Sequence, residues 1–174
     1  MLNHIIKSFE KSFKLSHQTI LVGGASEPLY EPQVLHADIG LSIVYFKEDF
    51  VSSALHEISH WCIAGRSRRE KIDYGYWYNS ERDSGAQSRF EEVEVLPQAI
   101  EWILSVASGI PFSVSADNLS LIGYDNNPFR LAVQQKVLDL LGNGLPPRVS
   151  QIALALSNSS LKHLDVSNYQ DVPS

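Results

Sequence analysis

The pattern of hydrophobic and polar positions begins with one helix and two short strands. Apolar side chains recur at helical spacing over residues 3–14, which predicts an amphipathic first helix. The segments QTILV (18–22) and LSIVYF (41–46) are short, β-branched and aromatic, and they predict strands. The intervening EPLYEP (27–32) carries two prolines and predicts a loop.

The rest of the chain is mainly helical in pattern. A second helix is predicted over about residues 49–64, and a third over residues 86–107. Pro97 must kink this third helix or mark a restart within it. Two further helices begin at prolines, within residues 125–144 and residues 146–157.

The composition is that of an ordinary soluble protein, with 44% hydrophobic and 20% charged residues. No apolar run approaches the roughly 20 residues of a membrane span, and the first helix lacks the features of a signal peptide. The single cysteine, Cys62, fits a reducing compartment and the core side of its helix. We therefore expect one cytoplasmic α+β domain over residues 1–174, mostly helical with a small sheet, with no membrane partner. Its last dozen residues are expected to be loosely held.

The charge of the chain is acidic, with a net charge of −6 and a pI near 5.4. This balance argues against direct nucleic-acid binding and favours a basic partner. The basic run GRSRREK (65–71) is a local exception. It fits a solvated turn or a docking patch for an acidic protein surface or RNA, and the sequence leaves both open.

The segment ALHEISHWC (54–62) contains an HExxH motif formed by His56, Glu57 and His60. Residues four apart lie one above the other on a helix, so both imidazoles can reach a single ion. They fall opposite the apolar side of the helix, and Glu57 lies close enough to touch whatever the ion binds. The remaining histidines stand singly and are expected at the surface or at helix ends: His4, His17, His36 and His163.

Two histidines need a third protein ligand to hold a divalent ion well. The predicted third helix carries a narrow polar stripe on an otherwise apolar surface, formed by Glu91, Glu94, Gln98, Glu101 and Ser105. Buried carboxylates are costly unless they are paired or bind a metal, so the stripe and the histidines suit each other. Glu94 lies nearest the centre of the stripe and is our predicted ligand, with Glu91 in reserve. A solvated acidic face is the alternative.

These ligand types suit zinc and iron(II) equally well. With zinc, Glu57 becomes the general base of a small peptidase. With iron(II), the same ligands leave open positions for dioxygen, and the protein is an oxygenase. The residues alone do not decide between the two.

Four blocks of the sequence together resemble the bacterial elongation factor P hydroxylase family. The blocks are EPLYEP (27–32), HEISHWCIAG (56–65), DYGYWY (73–78) and FEEVEVLPQAIEW (90–102). The spacing between blocks also agrees. The resemblance spans roughly residues 21–146 and says nothing about the two ends of the chain.

The resemblance implies a cytoplasmic, metal-dependent hydroxylase with a core like that of HExxH metallopeptidases. Its implied metal is iron(II), with zinc a possible substitute, and its implied ligands are His56, His60 and Glu94. The implied substrate is elongation factor P at a lysine that already carries a β-lysyl group. Glu57 matches the motif glutamate, and we expect it to hydrogen bond near the ion or to handle a proton.

The implied substrate is a long cationic arm, which suggests roles for further residues. Asp73 or Glu101 can pair with an amine of this arm. Aromatic residues of the DYGYWY block can flank its methylenes or ammonium groups: Tyr74, Tyr76, Trp77 and Tyr78. The alternative is that this aromatic segment is a strand that packs against its own core.

Overall fold

The structure is a computed structural model that describes residues 1–73, 84–115 and 125–171. These ranges contain five α-helices and a three-stranded sheet, which confirms the expected α+β class. The elements are α1 (Leu2–Phe13), β1 (Thr19–Ala25), β2 (Leu29–Glu31), β3 (Ser42–Lys47), α2 (Val51–Ile63), α3 (Ser84–Ser108), α4 (Asn127–Asn143) and α5 (Pro147–Leu156). Short 3-10 turns lie at Gln33–Leu35, Lys162–Leu164 and Val166–Tyr169.

The sheet has β3 at its centre, parallel to β1 and antiparallel to β2. The prediction of a loop for EPLYEP was wrong, because its middle residues form β2 between the two prolines. Proline is tolerated at the ends of an edge strand, where no ladder hydrogen bond is lost. Tyr30 of β2 also exchanges two backbone hydrogen bonds with Asp73, at 2.8 and 3.0 Å.

The helices follow the hydrophobic pattern closely. In α1, Ile5, Phe9 and Phe13 are fully buried, as their spacing predicts. Helix α2 begins two residues later than expected. Helix α3 runs continuously through Pro97, so the alternative of a restart at this proline was wrong. None of the helices in the described ranges is long and apolar enough to cross a membrane.

The core has two parts on either side of α3, which packs against α2, α4 and α5. One cluster joins the sheet with α1, α2, α5 and part of α3, and contains the buried Cys62. The other joins α3 and α4 and includes Trp102 and Tyr169. This arrangement leaves the polar stripe of α3 facing α2.

The described part of the C-terminal segment, residues 163–171, packs against α3. Tyr169 is only 1% exposed, packs edge-on against Trp102 and donates a 2.8 Å hydrogen bond to the carbonyl of His163. His163 is buried to the same degree, so its expected surface position was wrong. The segment is polar in composition apart from Tyr169. The burial of this large aromatic side chain offsets the entropic cost of ordering the segment.

Candidate metal centre

Helices α2 and α3 face each other and bring three candidate ligands together. His56 and His60 lie one turn apart on α2, and Glu94 projects from α3. Among the described residues, these three form the group whose ligand atoms all lie within 4.8 Å of one another. The site is half-buried at the histidines and buried at Glu94, which is 3% exposed.

The distances within this group are those of donors that converge on one point. The Nε2 atoms of His56 and His60 are 3.0 Å apart. Glu94 places Oε2 at 3.6 Å from Nε2 of His56 and Oε1 at 3.4 Å from Nε2 of His60. Two atoms each about 2.1 Å from one ion lie roughly 3.0 to 3.4 Å apart at octahedral or tetrahedral angles. Two of the three distances lie in this range and the third exceeds it by 0.2 Å, so a small adjustment of Glu94 would fit the donor set to a divalent ion.

One atom of the group has no other use in the described part of the chain. Oε2 of Glu94 is buried and accepts no hydrogen bond there. Burial alone would raise the pKa of Glu94, but the hydrogen bond and charge of His60, together with His56, hold that pKa below its usual value. A buried, ionised carboxylate with an unused oxygen is a strong ligand for a cation.

Glu101 holds the orientation of one candidate ligand from behind. It lies two turns beyond Glu94 on α3, and its Oε2 accepts a 2.8 Å hydrogen bond from Nδ1 of His56. This bond turns Nε2 of His56 towards Glu94 and His60. Burial would lower the pKa of His56, but Glu101 raises it to about 10. A carboxylate behind a histidine ligand fixes its ring and increases its basicity.

Glu57 lies between the ligand group and an open pocket. Its side chain is half-buried on α2, and burial raises its pKa against the opposing effect of His56 and His60. The pocket holds about 370 Å³ of free space including its mouth. Its lining residues include Tyr30, Val44, Glu57, His60, Trp61 and Arg69. A ligand in this pocket would reach both Glu57 and the side of the candidate centre.

The other predicted site residues occupy different places. Glu91 is one turn before Glu94, lies outside the ligand group and accepts a 3.0 Å hydrogen bond from Gln87. Asp73 lines the pocket, and its carboxylate pairs with the guanidinium of Arg68. Tyr76, with the aromatic residues next to it, lies outside the described residues.

Six lining residues of the pocket were not predicted as site residues, and Tyr30, Trp61 and Arg69 are among them. Tyr30 lay in the presumed loop, and Trp61 appeared only as part of the apolar side of α2. Arg69 belongs to the basic run, where it lies over the Trp61 ring at 5.8 Å from its centre. Its neighbours in that run are paired, Arg66 with Glu70 and Arg68 with Asp73. Trp61 and Arg69 lie on opposite sides of the end of α2, so no helical spacing in the sequence indicates their contact.

Two comparisons with known proteins identify the family of this chain. A family profile described as elongation factor P hydroxylase matches residues 8–168. The chain belongs to the elongation factor P hydroxylase family. It is also 43% identical over 156 residues to the elongation factor P lysine hydroxylase of Haemophilus influenzae. The aligned region covers 89% of this chain and 86% of that protein. The matched residues include α2, α3 and the pocket that α2 forms with the sheet and residues 65–73.

Proposed function

We propose that this chain hydroxylates a lysine side chain of elongation factor P at a metal centre held by His56, His60 and Glu94. The single observation that carries the proposal is the convergence of these three side chains at the edge of an open pocket. Membership of the hydroxylase family supports the reaction and the substrate protein.

Iron(II) is the metal that we propose, with zinc as a possible substitute in the same ligands. When bound, iron(II) would supply the activation of dioxygen, which a chain of ordinary side chains cannot supply. The two imidazoles and one carboxylate of this site are the ligand set that iron(II) oxygenases use. Zinc accepts the same donors, so the ligand types alone do not choose between the two metals.

The residues around the centre would have separate tasks. Glu101 keeps the ring of His56 in position through its hydrogen bond to Nδ1. Glu57, at the boundary between the centre and the pocket, would hydrogen bond with the bound substrate or handle a proton there.

We propose the β-lysylated form of the lysine as the substrate. Such an arm carries methylene groups, amines and an amide, and the pocket offers an aromatic wall next to carboxylates. An enzyme that modifies a translation factor would act in the cytoplasm, and no direct nucleic-acid contact is needed. A core like that of the HExxH metallopeptidases remains a prediction.

A small zinc peptidase fits the structure less well. Metal-dependent peptidases commonly hold an extended peptide by adding it to a strand edge. Here the edge residue beside the pocket is Tyr30, whose backbone N–H and C=O are both used by Asp73 of the same chain. A peptide would have to displace this pairing before it could bind there.

The proposal is tested by the intact mass of elongation factor P from cells with and without this gene. We expect the modified lysine to carry one more oxygen atom when the gene is present. The purified protein, supplied with iron(II) and a reductant that provides the two electrons needed to reduce the second oxygen atom to water, should reproduce this change aerobically and not anaerobically. An unchanged mass in both experiments would refute the proposed function.

A further inference from the structure

We infer that Trp61 and Arg69 bind a hydrogen-bond acceptor of the substrate, namely the amide carbonyl of an acylated lysine. This inference rests on the proposed function and assigns two specificity residues to its pocket. Both side chains line the pocket beside Glu57 and His60. The amide oxygen is the feature that distinguishes an acylated lysine from a bare one.

The first observation is a pair of buried donors that lack acceptors. Nε1–H of Trp61 and Nε–H of Arg69 are both buried, and neither donates to any acceptor in the described ranges. Buried N–H groups in native proteins are nearly always paired with protein or water. Two exceptions on side chains that contact each other and share one pocket point to a ligand oxygen.

The second observation is the close packing that holds Trp61 in place. Trp61 is 4% exposed and packs edge-on against Phe9 in the aromatic core. The guanidinium of Arg148 lies 5.0 Å from the centre of the same ring, and it donates hydrogen bonds to the carbonyls of Cys62 and Ala64. The end of α2 and the indole that it carries are thus fixed before any ligand binds. A fixed donor loses little entropy on binding, which favours selective recognition.

The charges of the pocket select the kind of acceptor. The carboxylate of Glu57 also lines it, whereas that of Asp73 is paired with Arg68, so a ligand carboxylate would meet like charge at Glu57. A neutral carbonyl avoids this repulsion and still accepts from Arg69. A bare lysine brings only an ammonium group, which has no acceptor for either donor and is repelled by Arg69. An acylated lysine with an amine at its far end offers a carbonyl to Arg69 and an ammonium group to the carboxylate of Glu57.

The test measures the affinity of metal-loaded protein for elongation factor P in two forms, with bare lysine and with β-lysyl-lysine. Calorimetric titration is performed on the wild type, Trp61→Phe and Arg69→Lys. Trp61→Phe keeps an aromatic ring but removes the donor, and Arg69→Lys keeps the charge but removes the Nε–H. We expect the wild type to prefer the β-lysylated form, and each variant to lose about tenfold or more of that preference.

Arg66→Lys is the matched control, since Arg66 belongs to the same basic run but is exposed and pairs with Glu70. It should keep the wild-type preference, and all variants should keep the wild-type metal content. Equal affinity of the wild type for the two forms would overturn the inference. So would an unchanged preference in both pocket variants, which would mean that water satisfies these donors. Failure of the proposed function can be distinguished from failure of this inference, because the wild type would then not hydroxylate elongation factor P.

Discussion

The two sides of α3 solve different packing problems. Towards α4 the helix presents Ala99, Trp102 and Ile103, which are at most 4% exposed and form an apolar contact. Towards α2 it presents Glu94 and Glu101, which are also nearly buried, at 3% and 8% exposed. The apolar side stabilises the fold without specific partners, whereas each carboxylate on the other side needs one.

The polar side itself shows which groups are satisfied by protein and which are not. Gln98, between the two carboxylates, is matched by the backbone of Ser115, at 2.6 and 3.1 Å. Glu101 is matched by Nδ1 of His56. Glu94 keeps an oxygen that accepts no hydrogen bond in the described ranges. The burial pattern therefore identifies the polar side of α3. A buried oxygen atom that accepts no hydrogen bond then indicates where on that side a metal ion could bind.

Removal of one of the two histidines is expected to have the largest effect on the polar side of α3. In His56→Ala or His60→Ala, only two of the three donors remain, and we expect loss of both metal and hydroxylation. Elemental analysis after gel filtration measures the bound metal. His36→Ala is the control, because His36 pairs with Glu31 elsewhere on the surface. Full metal occupancy in either site variant would contradict the ligand assignment.

The choice between the two acidic residues of α3 is tested next. Glu94→Ala should lose metal as the histidine variants do, because its carboxylate completes the group. Glu91→Ala should keep most of the metal, because Glu91 lies outside the group and bonds to Gln87. The same elemental analysis serves both proteins. The opposite pattern would transfer the ligand role to Glu91.

Glu101 offers a milder change on the same side of the helix. Glu101→Gln keeps the shape of the side chain but weakens the hold on Nδ1 of His56. Loss of such a supporting group typically lowers metal affinity by about 10-fold to 100-fold. Competition with a chelator of known affinity measures this loss, while Glu94→Ala should show no measurable binding. An unchanged affinity would mean that Glu101 serves only the fold.

Glu57→Gln sharpens the contrast between the two reactions that an HExxH site can perform. A zinc peptidase needs this carboxylate to take a proton from metal-bound water, so its activity would vanish. A hydroxylase does not need that step, and we expect retained metal with reduced but detectable hydroxylation. The mass of elongation factor P after aerobic incubation gives the result. Complete loss of hydroxylation with full metal would contradict this expectation and give Glu57 an essential catalytic role.

Local periodicity explains what the sequence could predict. The stripes of α2 and α3 were visible because each depends only on spacing within one helix. Glu94 followed from its place on the helical wheel, and the structure does bring it to the histidines. Glu101 was predicted as a stripe residue that could pair with an amine of the substrate, and the structure instead places its carboxylate against Nδ1 of His56.

The missed features all depend on contacts between distant segments. Strand β2 forms because β3 offers it a partner, and three residues between prolines carry too little signal alone. The contact of Arg69 with Trp61 arises where the chain turns back over the end of α2. The burial of Tyr169 depends on Trp102, more than sixty residues earlier. Such pairings cannot be read from the periodicity of one segment.

The smallest predicted effect is a change in the pH dependence of stability at the buried His163, away from the candidate metal centre. Burial lowers the pKa of this imidazole below its ordinary value of 6.5. The unfolded chain therefore takes up a proton near pH 6.5 that the folded chain does not, and the free energy of unfolding falls as the pH drops from that value to the folded-state pKa. His163→Gln cannot titrate, so its stability should fall less over this window. Urea unfolding between about pH 5 and pH 8 measures both proteins, and contributions that they share cancel in the difference. A difference in stability that stays constant with pH would show that His163 acts by packing alone.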